Sequence, residues 1–357
     1  MSRSPALGVV FDPRHNALNA LRLALAVSVI VWHSFPLSGA DIDFAPLRQI
    51  VSRISVDGFF AISGYLIVSS WIRDPRWRTF LRARALRILP AFWTCLVVTA
   101  AVFAPLAVLI RGSAFPSGFV ADSVSYVVRN AALYMLQYDI AGTPSDVPYP
   151  DAWNGALWTL FWEASCYVGV LAVGLLGLMK HRATFPALFV VATVGVLATS
   201  YGPVENFYVV TGSRFGIMFL AGALIHRYRD AIPVSPPLMA MAAVAVAASA
   251  WLPDYRVIAA LPVAYLVICL GALGKSPRLR VRNDLSYGTY IYGFPIQQLL
   301  ATAGASAWGV PAFAVISIAV TLPVAAASWF LVEKPALRLK GPQRRPATVQ
   351  EEAVARR

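Results

Sequence analysis

ALNALRLALAVSVIVWHSFPL, residues 17–37, is the stretch on which the fold turns. It is apolar for the roughly 20 residues that a helix needs to cross a bilayer. It is too long for the apolar core of a cleavable leader, contains Arg22, and is followed by no small-residue cleavage pattern. The segment therefore reads as a retained membrane span. Outward from it, nine further apolar runs follow at 57–72, 88–110, 155–179, 184–201, 213–226, 236–251, 256–273, 285–302 and 310–332.

Composition agrees with ten spans. Of 357 residues, 58% are hydrophobic and 13% charged, against about a quarter charged in ordinary soluble domains, and the mean hydropathy is +0.64. The net charge of +13 gains its meaning from its placement. With the N-terminus inside, 23 of the 30 Lys and Arg residues fall on the cytoplasmic side. Six lie outside (Arg48, Arg53, Arg111, Arg129, Arg214, Arg256), and Arg22 lies within a span. The positive-inside rule then puts both termini in the cytoplasm. The basic residues flank spans and have no interleaved stacking surface, which argues against nucleic acid as a partner. The expectation is an all-α polytopic bundle over 1–340 with a disordered cytoplasmic tail at 341–357.

Two stretches between spans stand out. Residues 73–87 carry six Arg on the cytoplasmic side, and 111–154 form the longest outer loop, whose 123–138 portion has the periodicity of a surface helix. No internal repeat of the kind found in many transporters is visible. GALGKS at 271–276 ends like a phosphate loop, but the required first Gly falls on Cys269. Cys95, Cys166 and Cys269 read as small packing residues. No His/Cys/Asp cluster has metal-ligand spacing.

Ionisable groups inside spans are costly and so mark function. Arg22 and His33 are 11 residues apart, about three helical turns, which sets them on one face roughly 16 Å apart along the axis. Arg22 lies in the inner half of the span and His33 in the outer half. If the fourth span starts near 155, Glu163 reaches the depth of His33, and a carboxylate–imidazole pair suited to general-base work becomes possible there. The alternatives are that His33 hydrogen-bonds another helix and that Glu163 pairs with a buried Arg. Asp57 reads as an interface residue. Arg84 and Arg87, three apart, share a helix face and form either a phosphate clamp or a topological, lipid-touching pair.

Six motifs taken in order resemble one family. They are RLALAVSVIVWH (22–33), VDGFFAISGYLI (56–67) with Ser63-Gly64-Tyr65 at its core, RARALRILP (82–90), LWTLFWEASCY (157–167), LSYGTYIYGFPI (285–296) and SWFLVEKP (328–335). Across about 17–340 the chain resembles the bacterial acyltransferase-3 family of integral membrane O-acyltransferases, which includes polysaccharide O-acetylases and nodulation-factor modifiers. That resemblance implies ten spans, a catalytic His33 supported by Arg22, and an acyl-CoA co-substrate held from the cytoplasm by Arg84 and Arg87. It also implies motif roles for Glu163 and for Glu333, the latter organising the donor-side Arg residues, with Ser63 and Tyr65 in support. One departure is Gly293, where many members have His, so a second catalytic His is not expected. Nor is a further transfer step by an appended esterase-like domain.

The expected function is transfer of an acyl group, most simply acetyl, from cytosolic acyl-CoA to a hydroxyl of a cell-surface glycan or lipid-linked sugar at the bacterial inner membrane. The competing expectation is a proton-coupled carrier or flippase with Arg22, His33 and Glu163 lining its pathway. A scaffold without chemistry leaves the embedded charge unexplained.

Overall fold

The protein is described by a computed structural model covering residues 4–276, 279 and 281–340. The tail expected at 341–357 lies outside the described residues. Among the described residues every extended element is helical, and β-pairing is confined to two isolated bridges, Ala6 with Pro233 and Ile140 with Thr143.

Each apolar run forms a helix. In chain order these are α1 (Leu18–His33), α2 (Ala45–Arg73), α3 (Trp77–Ile110), α4 (Phe119–Asn130), α5 (Thr159–Leu175), α6 (Thr184–Tyr201), α7 (Phe207–Arg227), α8 (Pro236–Ser249), α9 (Arg256–Leu273), α10 (Ser286–Thr302) and α11 (Val310–Arg338). Seven of them, α1, α2, α3, α6, α7, α9 and α11, are long and apolar enough to cross a membrane, while α5 and α8 are shorter apolar helices. Large side chains such as Val190, Val191, Val194, Leu176, Val315 and Leu331 point out of the bundle. An apolar exterior around a packed interior is what hydrocarbon solvent requires. The extra helix, α4, is the surface element anticipated in the outer loop, although it ends at Asn130 and not near 138.

Two contacts fix α2, the longest unbroken α-helix. It crosses α7 where Gly64 and Gly222 face each other. A side chain on Gly64 would collide with the Phe219 carbonyl, and one on Gly222 with that of Ala61. Small residues let two backbones touch where water cannot drive association. Phe60 stacks on Phe215 at 4.3 Å beside this crossing. Farther along α2, Asp57 is buried against Arg256 (2.9 Å) and accepts a hydrogen bond from Tyr255. Asp254 bridges Arg214 (2.7 Å) and Arg256 (3.2 Å) nearby. Two carboxylates thus tie α2, α7 and α9 together.

Before α5 the chain is buried but not helical. Ala152, Trp153, Asn154, Ala156 and Leu157 are all inside the protein. The physical reason lies in α10: Pro295 has no N–H, which leaves the Ile291 carbonyl without its intrahelical donor. Asn154 fills the gap, donating through Nδ2 at 2.8 Å, with Cys95 Sγ at 3.4 Å. This inward-folded loop delays the start of α5 to Thr159, whose hydroxyl lies 2.6 Å from that of Tyr290.

Candidate active site

Three cavities follow one another along α2. The widest, about 600 Å³, opens at the basic end and is lined by Leu66, Ser69 and Arg73 of that helix. The next, about 300 Å³, uses Ser63, Leu66 and Ile67. The innermost, only about 40 Å³, uses Val56, Phe59, Phe60 and Ser63. These positions recur at three- and four-residue intervals and form one helical stripe, about 25 Å long from Val56 to Arg73. Opposite it, α1 lends Asn19 to the outer two cavities and Arg22 to the inner two. Adjacent cavities share wall residues.

Between the walls lies a buried charge cluster. Arg22 donates to Asp284 at 2.7 Å, and Arg87 donates to the same oxygen at 2.5 Å. Arg87 also lies 3.5 Å from Glu333, which accepts a hydrogen bond from Ser328 at 3.2 Å. Asp284 stands at the N-terminus of α10, where its other oxygen accepts from the Ser286 hydroxyl (2.5 Å) and backbone N–H (3.2 Å). Burial alone would raise the pKa of Asp284, but Arg22 and Arg87, together with Ser286, hold it at about 2. Two guanidinium groups thus share two carboxylates.

Arg84 is placed differently from Arg87. One nitrogen donates to Ser70 at 3.1 Å, while its Nε is buried without a partner among the described residues. The guanidinium lies over the rings of Phe80 (5.5 Å) and Tyr167 (6.0 Å) and borders the 300 Å³ cavity. Lys340 lines the same cavity, where burial, with Arg84 and Arg87 nearby, lowers its pKa to about 8. The expected pair of arginines therefore divides into one that is neutralised and one that is available.

Glu163 accepts from Ser63 (3.1 Å) and Tyr167 (2.5 Å) and borders both inner cavities. It makes no ion pair with Arg or with His33 among the described residues. The anticipated meeting of Glu163 with His33 is thus corrected: α5 begins within the protein, below the inward-folded loop, and its second turn reaches the level of Arg22 and Tyr287. His33 sits farther along α1, with its ring edge-to-face on Phe294 at 5.0 Å. The helix-to-helix hydrogen bonds there are made by Gln297, which donates to the Ile30 carbonyl (3.0 Å) and the Ser34 hydroxyl (2.9 Å), and not by His33. Tyr65 also lies off the cavities, packed on His226 (5.0 Å) and Phe11 (5.1 Å). Gly293 packs against Ile30, where a methyl group would lie 2.8 Å from its side chain. Among the described residues no group of three or more His, Cys, Asp or Glu is placed to hold a metal ion.

Residues that sequence reasoning passed over complete the site. Asp284 lies one residue before an apolar run, so a search confined to spans misses it. Two signals pointed there: an embedded Arg22 lacking a carboxylate, and the Asp-x-Ser pattern at a helix start. Tyr167 and Tyr287 fall within the motifs LWTLFWEASCY and LSYGTYIYGFPI, whereas Lys340 carries no signal of its own.

Embedded ion pairs, a stepped cavity and a guanidinium with no carboxylate partner among the described residues mark a multi-pass membrane protein with a polar interior site. The family model described as an acyltransferase domain (acyltransferase-3) matches residues 15–330, and the chain belongs to that family of acyltransferases. An O-acetyl transferase of Shigella phage Sf6 is 28% identical over 339 residues, covering 92% of this chain and 98% of the relative. Nodulation protein 10 of Rhizobium leguminosarum bv. viciae is 28% identical over 359 residues, covering 91% and 94%. No solved structure matches. Membership in an acyltransferase family separates the protein from the carriers that its embedded charges also suggested.

Proposed function

We propose that the protein is a ten-span O-acyltransferase of the bacterial inner membrane, with both termini cytoplasmic. It moves an acyl group, most simply acetyl, from cytosolic acyl-CoA to a hydroxyl of a sugar or lipid-linked glycan. The observation that carries this reading is the cavity series that narrows from a cationic mouth, past Arg84 and Lys340, to an apolar end at Phe59 and Tyr290. A nucleotide thioester has the same order of parts: phosphates, a slender arm, then a small acyl group. The O-acetyl transferase name of the phage relative supports the acetyl choice.

In this reading Arg84 meets the donor's diphosphate through charge-assisted hydrogen bonds. Glu163, oriented by Ser63 and Tyr167, accepts an amide N–H of the pantetheine arm beside Arg22. His33, whose ring rests edge-to-face on Phe294, serves the reacting carbonyl beyond the narrow end of the cavity series. An acceptor hydroxyl loses its proton to His33 as its oxygen attacks the carbonyl. The new C–O bond forms, the C–S bond breaks, and the thiolate leaves with the proton from His33. In the covalent variant, the neutral imidazole of His33 attacks the carbonyl and the C–S bond breaks to release the thiolate. The acyl group then passes to the hydroxyl oxygen, which restores the imidazole, and the hydroxyl proton ends on the thiolate. The test is His33→Ala in reconstituted vesicles supplied with acetyl-CoA and an extract of surface glycans. Acyl transfer should disappear while membrane insertion and melting temperature stay unchanged. Full transfer by that variant would refute the assignment.

A further inference from the structure

The 600 Å³ cavity at the basic end has no part in the reading above except as an entrance. Its wall holds Arg14, Arg73 and Arg282, with His15, Asn16 and Asn19, and no carboxylate. None of the three guanidinium groups makes an ion pair or side-chain hydrogen bond among the described residues. The neighbouring acids hydrogen-bond to other groups, Asp284 to Arg22, Arg87 and Ser286. Asp12 accepts from His15 at 2.7 Å and from the backbone N–H of Arg14 at 2.8 Å, and Asp74 pairs with Arg76 at 2.7 Å. The three arginines come from separate pieces of chain: the segment before α1, the end of α2, and the segment before α10. Asn19 fixes the last of these by donating to the Val281 carbonyl at 3.0 Å. Three pieces of chain thus converge on one basin whose wall holds no carboxylate.

Asn19, Leu66 and Arg282 line both this basin and the 300 Å³ cavity beyond it. A ligand lying across the shared wall would therefore touch Arg84 and Lys340 at one end and Arg14, Arg73 and Arg282 at the other. Forked guanidinium groups favour phosphate over a simple point charge. Resting on the donor assignment made above, we infer that this basin binds the 3′-phosphoadenosine end of coenzyme A. Its three arginines grip the 3′-phosphate, while the diphosphate reaches inward to Arg84.

The 3′-phosphate can be removed from the ligand without touching the protein, and this gives the test. Binding of acetyl-CoA and of acetyl-3′-dephospho-CoA to the full-length protein is measured by calorimetry in detergent micelles. The wild type should favour acetyl-CoA by about tenfold or more. Arg14→Gln, Arg73→Gln and Arg282→Gln, all at exposed positions, should each shrink that preference while leaving affinity for the dephospho ligand within about twofold. If all three variants keep the wild-type preference, the basin does not hold the 3′-phosphate and the inference falls, although the donor assignment stands. If the wild type binds neither ligand, the donor assignment itself falls and the inference with it. A variant that weakens both ligands equally would assign that arginine to the diphosphate or to general attraction, against the inference.

Discussion

Arg22 and Asp284 are 262 residues apart in sequence and 2.7 Å apart in space, and α1 and α10 are registered on each other through that contact. Arg87 closes on the same carboxylate at 2.5 Å. Asp284→Ala should therefore leave Arg22 without a carboxylate and Arg87 with Glu333 alone in the protein interior. Removing one partner from a buried pair costs about 3–5 kcal/mol. The expected outcome is a large fall in melting temperature in detergent, together with loss of activity. Unchanged melting would show that the cluster does not hold the helices in place.

Arg84 and Arg87 should part company under substitution. Arg87 is consumed by Asp284 and Glu333, so Arg87→Ala is expected to destabilise the protein in the same way as Asp284→Ala. Arg84 makes a single side-chain hydrogen bond, to Ser70, so Arg84→Ala should fold normally and weaken donor binding by about ten- to a hundredfold, the worth of one hydrogen bond between charged groups. Melting curves and donor titrations on the two variants separate these outcomes.

Donor affinity should depend on pH through Lys340. Its pKa is lowered to about 8, so the ammonium form dominates below pH 8 and the neutral amine above it. The charged and titratable neighbours on this cavity are Arg84 and Arg87 of α3, Glu163 and Tyr167 of α5, Arg22, Arg282, Asp284 and Tyr287. A bound phosphate favours the ammonium form, so affinity for acetyl-CoA should be level below pH 8 and fall above it. Lys340→Met should remove the fall. A wild-type profile flat from pH 7 to 9.5 would argue against a role for this amine.

The crossing of α2 and α7 predicts a third kind of failure. Gly222→Ala inserts a methyl group into the Ala61 carbonyl, and overpacking of this sort costs about 1–3 kcal/mol. Because Ser63 sits at the same level and carries Glu163, the variant should lose donor affinity as well as stability. Thermal unfolding and donor titration on one sample check both.

Much of the bundle was legible in the apolar runs, because a span must be long and uncharged whatever it packs against. The ends of helices were less so. α2 starts at Ala45, well before the expected 57, since its first turns carry Arg48, Gln49 and Arg53 and leave the hydrophobic register while remaining helical. The depth of Glu163 was misjudged for a tertiary reason. Nothing local to residues 152–158 announces that they fold inward; the demand comes from Pro295, more than a hundred residues later. Asp284 was missed because its partners lie on α1 and α3 and only folding brings them together. The candidate chemistry was visible as residue types, and its spatial order was not.

The glycine crossing has a mechanical consequence. It clamps α2 to α7 backbone to backbone at the height of Ser63, so the wall shared by all three cavities is the stiff one. Whatever widening the narrow end undergoes must come from the facing side, where Phe294 rests on Gly155 in an irregular stretch of chain and a methyl group would lie 2.7 Å from the ring. The protein is thus built as a fixed rail with a yielding counterpart, and its throat is set by the looser half.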